Sequence, residues 1–205
     1  DSYPEDDLAR APPILQSQGF RVQPSWLFNF LRDPSSQLRP WLDIRMPTFP
    51  FSDQQATSIV HSFSAHDKVP FPYLSLSVDT PRGKELDEVK AMVAELRCFA
   101  CHTSGEPAPG QDRSSLAPNL MLAKHRLRPD WVTAWIKNPQ SLQEGTKMPS
   151  FFTPDDMSTV MYPKYCGGSQ EKQIQMLSDY VMSLSDGASG KPQAALQKPA
   201  EKKKR

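Results

Sequence analysis

The chain has 205 residues with 24 Lys+Arg against 23 Asp+Glu, and its net charge of +1 lacks the basic excess of a nucleic-acid binder. At 38% hydrophobic and 23% charged it can bury a modest core, yet no run approaches the ~20 apolar residues that cross a bilayer. Twenty-one prolines against nine glycines interrupt helices and favour extended connectors. One or two small, mainly helical units of about 100 residues are therefore expected, and a large barrel or doubly wound sheet is not.

Asp1 is not an initiator Met and no charged-then-apolar leader follows, so the start is expected to be processed or trimmed. Pro24 sits where a helix begins, because a missing N–H costs nothing at the first helical position. Trp26, Phe30 and Leu31 then share one face and read as core. Met46 precedes Pro47 in a loop. Residues 64–79, rich in Pro and Ser, read as an extended linker. Thr80 is expected to cap a helix over residues 83–97 whose Leu86, Val89, Met92, Val93 and Leu96 form a packed face.

That helix closes on Cys98-Phe99-Ala100-Cys101-His102. Pro129 opens a second Trp-bearing helix, with Trp131, Trp135 and Ile136 on one side. Met148 lies in a loop between Gly145 and Pro149. Residues 152–169, with Cys166, make a connection longer than it needs to be, expected to meet a partner, cover a pocket edge, or reflect loop drift. Cys166 has no obvious mate and reads as buried or free. Asp155 and Asp156 read as a helix start rather than an acid/base pair. Residues 170–185 form a closing helix with Ile174, Leu177, Val181 and Leu184 on one side. Residues 187–205 end in Lys202-Lys203-Lys204-Arg205, a polar tail that is mobile unless it meets anionic lipid or an acidic subunit face.

The Cys98 to His102 spacing is the one that attaches a c-type haem: two thiols reach the two vinyl groups, and the adjacent imidazole reaches the iron. Three other readings compete. Zinc requires four ligands, and only Cys166 or scattered His residues such as His125 could complete a set. A thioredoxin-like pair should open a helix, whereas this one closes a helix. A disulfide across so short a loop would staple little and would leave His102 unexplained. A haem in an electron carrier needs a second axial ligand, and Met148, 46 residues beyond His102, is the best-placed thioether, since Met176 and Met182 fall in the closing helix and Met121 lies behind a Pro-Asn turn.

With those residues in place, residues 80–186 resemble a class I cytochrome c: a helix ending in the Cys98/Cys101/His102 motif, then Ala117-Pro118-Asn119-Leu120, Arg126-Leu127-Arg128-Pro129-Asp130-Trp131, Lys147-Met148-Pro149 and a closing helix. The resemblance implies a helical domain around one covalent haem c. It further implies that the Pro118 carbonyl receives the ring N–H of His102, and that Arg126 and Trp131 stand where the family holds the haem propionates.

Residues 1–63 repeat part of this pattern. Arg21-Val22-Gln23-Pro24-Ser25-Trp26 matches residues 126–131 at a shift of 105, Arg45-Met46-Pro47 answers Lys147-Met148-Pro149 at 102, and Ala11-Pro12 answers Ala117-Pro118 at 106. The counterpart of Cys98 would fall before residue 1. The first copy is thus expected to be a partial or degenerate cytochrome-like repeat, with Met46 a candidate ligand for a second haem attached elsewhere. Its own attachment motif is missing upstream, supplied by another subunit, or lost.

With His102 and Met148 both on iron no coordination site remains open, so the expected function is single-electron transfer rather than catalysis. The linker, the insertion and the tail fit a subunit among other redox proteins in a membrane-associated respiratory or photosynthetic complex. Thioether attachment implies a periplasmic or equivalent location. A haem enzyme or gas sensor with an open sixth site, and a mainly structural subunit of a multi-haem assembly, are the alternatives. Neither a nucleic-acid partner nor a catalytic residue is expected.

Overall fold

The computed structural model describes residues 15–34, 46–74, 77–107 and 116–184. Ala11, Pro12 and the whole tail from residue 187 to Arg205 lie outside the described residues. The described chain is mainly helical and contains no strand. Its helices are α1 (Gln18–Arg21), α2 (Pro24–Arg32), α3 (Asp53–His66), α4 (Lys84–Glu95), α5 (Ala123–Arg126), α6 (Pro129–Lys137), α7 (Pro139–Leu142) and α8 (Gln170–Ser183). Short 3₁₀ turns occur at Cys98–Ala100, Leu120–Leu122 and Cys166–Gly168.

The prolines open helices as their chemistry requires. Pro24 and Pro129 occupy the first turns of α2 and α6. The internal repeat extends to helix bounds: α1 and α2 map onto α5 and α6 at a shift of 105. Beyond the Met loops the shift grows to 117, where α3 and α8 are both 14 residues long and are capped by Ser52 and Ser169. Each serine side chain accepts a hydrogen bond from the backbone N–H three residues on, Gln55 or Lys172. Residues 152–169 therefore account for the extra length of the second copy.

Two apolar clusters result. Val22, Leu27, Leu31, Ala56 and Val60 form the core of a first lobe, where α1 and α2 pack on α3. Val89, Met92, Val93, Trp131, Ile174 and Leu177 belong to the core of a second lobe, where α4, α5 and α6 pack on α8. Helix α4 and the turn after it, which carry the motif, have no counterpart among the first lobe's described residues.

The lobes meet about a pseudo-two-fold. Val22 and Leu127, equivalent at the 105 shift, form one antiparallel bridge. Gln23 N donates to Arg126 O at 2.8 Å, and its counterpart Arg128 N donates to Arg21 O at 3.1 Å. The side chains repeat the exchange: Gln23 Nε2 donates to Lys124 O at 2.7 Å, and Arg128 Nη1 to Gly19 O at 2.9 Å. Helix α1 then lies on α6, and α2 on α5.

Three local expectations are corrected. Gly83, not Thr80, is the N-cap residue of α4, at φ 53° and ψ −126°, a conformation that glycine alone adopts without strain. The linker expected over residues 64–79 begins later, because α3 continues to His66; its buried face, Ala56, Val60 and Ser64 at i, i+4 and i+8, carries only one sizeable apolar side chain and so gives a weak helical period. Asp155 and Asp156 start no helix: Asp156 instead accepts from Ser158 N, Ser158 Oγ and Thr159 Oγ1, closing a turn.

Candidate haem site

Helix α4 brings the motif to the second lobe's core. It buries Val89, Met92, Val93 and Leu96, and then Arg97, left-handed at φ 54°, turns the chain into the 3₁₀ segment Cys98–Ala100. Residues three apart eclipse in such a turn, which sets Cys98 and Cys101 on one side. Cys98 is half-buried against the core, Cys101 is exposed, and both are free thiols. Burial pushes the Cys98 thiol above its ordinary value, with Cys101 adding to the effect. His102 N donates to Cys98 O at 3.0 Å and closes the turn.

The segment beyond is tied back onto the motif. Ala117 N donates to Cys101 O at 2.9 Å and Leu120 N to Thr103 O at 2.9 Å. The Asn119 side chain clamps Gly105 from both sides, accepting from its N–H and donating to its carbonyl, each at 3.2 Å, and also accepts from Met121 N. This braces the carbonyl that matters: His102 Nδ1 lies 2.8 Å from Pro118 O. A carbonyl can only accept, so Nδ1 carries the proton, and in the neutral ring Nε2 is the nitrogen with the lone pair. Beside it, the Thr103 hydroxyl is buried without a hydrogen-bond partner in the structure.

Met148 is half-buried, and its sulfur receives the indole N–H of Trp135 at 2.8 Å. Met46 packs against the first-lobe core, next to the cluster that holds Trp26 and Phe51. Trp131 is buried and stacks on Trp135 with ring centroids 4.9 Å apart, as Trp26 stacks on Phe30 at 4.8 Å. Arg126 is found over Trp26, 5.0 Å from its centroid, and the cation over Trp131 is Arg21 of the first lobe, also at 5.0 Å. Arg126 and Trp131, paired by sequence, therefore act across the pseudo-two-fold on different partners.

In residue type the set suits a covalently attached haem: Cys98 and Cys101 would form the two thioether links, and His102 Nε2 and the Met148 sulfur would be the iron's two protein ligands. Among the described residues no three His, Cys, Asp or Glu side chains converge as they would on a metal ion, so the Cys98/Cys101 pair gains no zinc-type partners there. Cys166 is a half-buried free thiol whose Sγ lies 3.8 Å from Met176 Sδ. Sequence reading missed Asn119 as a clamp and Trp135 as a donor to sulfur. The Pro-Asn pair was legible as a turn, whereas the Trp135 role carried no signal separable from core packing.

No helix among the described residues is long and apolar enough to cross a membrane. No protein-family model, curated protein or solved structure matches the chain.

Proposed function

We propose that the second lobe is a cytochrome c-like domain and that the chain carries single electrons through one haem c. The observation that carries this reading is His102, in a Cys-x-x-Cys-His turn, with Nδ1 held by Pro118 O at 2.8 Å, which makes Nε2 the basic ring nitrogen. A bound haem supplies a one-electron Fe(III)/Fe(II) couple.

The chain's own residues would do the rest. Cys98 and Cys101, both free thiols, would hold the ring as thioethers, each S–H adding across one vinyl double bond with no leaving group. The Pro118 carbonyl fixes the His102 tautomer and raises its basicity. Met148 would be the second residue to hold the iron, and its soft thioether would favour the ferrous state. The core of Met92, Trp131 and Leu177 excludes water, which disfavours the extra ferric charge. The domain acts as a carrier rather than a catalyst, outside the cytoplasm, as a subunit among other redox proteins.

A second reading rests on one contact: the Trp135 indole already engages the Met148 sulfur, and a sulfur held that way would leave the sixth position open to a gas or peroxide. Expression with the haem-attachment machinery decides between them. The carrier predicts haem staining after denaturing electrophoresis, one iron per chain, a Met sulfur-to-iron band in the oxidised spectrum and no binding of carbon monoxide. Cys98→Ser combined with Cys101→Ser abolishes the stain. An intact mass equal to the bare polypeptide ends both readings; carbon monoxide binding with no Met band favours the second.

A further inference from the structure

Beyond its buried face, helix α4 has little local support. Its N-cap residue Gly83 offers no side-chain hydrogen bond, and its last turn carries no basic residue to meet the final carbonyls. The insertion supplies what the helix lacks. Glu88 and Glu95, seven residues apart, share one face of α4 two turns from each other. Glu88 Oε1 accepts from Cys166 N at 2.7 Å, and Glu95 Oε2 accepts from Tyr165 Oη at 2.8 Å and from Lys164 Nζ at 2.5 Å. Lys164 thereby brings a cation to the end of α4, although as an exposed ion pair it adds little.

The same segment is held from the other side by α8. Gln170 accepts from Thr153 N and donates to Thr153 Oγ1, and Gln173 Nε2 donates to Met161 O and Tyr165 O. Tyr165 is tied at both ends: its carbonyl to α8, its hydroxyl to α4, and its ring buried in the second lobe's core. None of these contacts uses Cys98, Cys101 or His102. The first lobe is an internal control. There residues 47–52 lead to α3 where residues 149–169 lead to α8, and Gln170 and Gln173 are answered by Asp53 and Ala56. The copy with no described counterpart of α4 thus also lacks the insertion and both glutamines that hold it.

We propose that residues 152–169 are a strap that keeps α4 docked on α8 before any haem is attached, so that the turn at residues 98–102 is presented preformed. The preformed turn rests on the haem reading above; the docking does not. A helix free to undock would carry its two thiols on a fluctuating chain. Strapped down, it holds an exposed Cys101 and a half-buried Cys98 at fixed spacing, and the ordering of the turn is met by the fold instead of at attachment.

Hydrogen exchange read by mass spectrometry tests the strap on the full chain with Cys98→Ser and Cys101→Ser, which takes up no covalent haem. Peptides covering residues 84–95 should exchange far more slowly than an unstructured peptide. Tyr165→Phe in that background keeps the ring and the backbone bond to α8 but loses the hydroxyl. It should speed exchange in α4 about tenfold and leave α3 unchanged. Glu88→Ala, which by itself favours helix, should speed α4 further. Three results would overturn the proposal: α4 exchanging like an unstructured peptide in the strapped protein, no acceleration in Tyr165→Phe, or equal acceleration in α3 and α4. Should Tyr165→Phe not fold, Glu88→Ala alone is read by the same criteria. Haem staining of the unaltered chain separates this from the underlying reading. Slow α4 exchange without stain keeps the strap and sinks the haem, whereas stain with unprotected α4 keeps the haem and sinks the strap.

Discussion

Gln173 shows how one buried side chain can organise a loop that looks surplus in sequence. Fully buried in α8, it donates through Nε2 to Met161 O at 2.6 Å and to Tyr165 O at 2.8 Å. Its neighbour Gln170 donates likewise to Thr153 Oγ1, Asp156 O and Thr159 O. The 152–169 insertion is thus bonded to the second lobe's own helix, and its Phe152 and Tyr165 are buried. Gln173→Ala would leave those carbonyls unpaired in the interior, at about 1–3 kcal/mol, read as a lower urea midpoint. A second residue-scale effect is electrostatic. Glu95 accepts from Lys164 and from Tyr165 Oη at 2.8 Å, and the Lys164 ammonium holds its carboxyl below the usual range. Its stabilising contribution is complete above the ordinary carboxylate value and is lost as pH falls through the lowered one. Lys164 and Tyr165 are pushed up by the same carboxylate, so their share is lost only as pH rises through their raised values. Glu95→Gln should therefore flatten the acid limb of a stability-against-pH curve measured by urea unfolding. The Glu95 pairing with Tyr165 was not legible in sequence, since residues 70 positions apart carry no mutual signal.

At the scale of elements, the helices were largely legible because amphipathic spacing and proline position are local. Val89, Met92 and Val93 in α4 and Ile174 and Leu177 in α8 are buried as their spacing required. The exceptions are α3, whose buried positions are mostly small, and the four-residue helices, too short to show a period, among them α1. Helix α1 exists because Gly19 lets it rest on α3: a Cβ at that position would meet Phe63 O at 2.2 Å and Phe63 C at 2.5 Å. Its counterpart in α5 is Lys124, so the repeat diverged at this contact. Gly19→Ala forces backbone apart and is expected to cost about 1–3 kcal/mol. Because α1 also presents Arg21, circular dichroism melts of this variant should show the loss together with weaker quenching of Trp131 fluorescence.

For the whole molecule, the pseudo-two-fold couples the lobes. Arg128 is its key residue: buried, it donates to Gly19 O and lies 4.5 Å from the centroid of the Tyr73 ring, fastening the first lobe and the connector to the second. Arg128→Ala removes a charged hydrogen bond and a cation–π contact, about 2–4 kcal/mol together. Calorimetry should then resolve the single unfolding transition expected of the docked pair into two, one per lobe; a single transition at a lower temperature would mean that the lobes fold as one unit regardless of this residue.

What the amino-acid order determined by itself was everything set by short spacing: the thiol pair and its imidazole, the helix-starting prolines, the amphipathic faces and the copied block that betrays a repeat. These depend on neighbours within a few residues, or on similarity that survives without contact. Only the tertiary structure decided that Asn119 clamps Gly105, that Trp135 reaches the Met148 sulfur, and that each lobe's arginine covers the other lobe's tryptophan. A repeat records that two copies exist, but the axis that relates them depends on the packing of α1 on α6 and α2 on α5, which involves residues about a hundred positions apart.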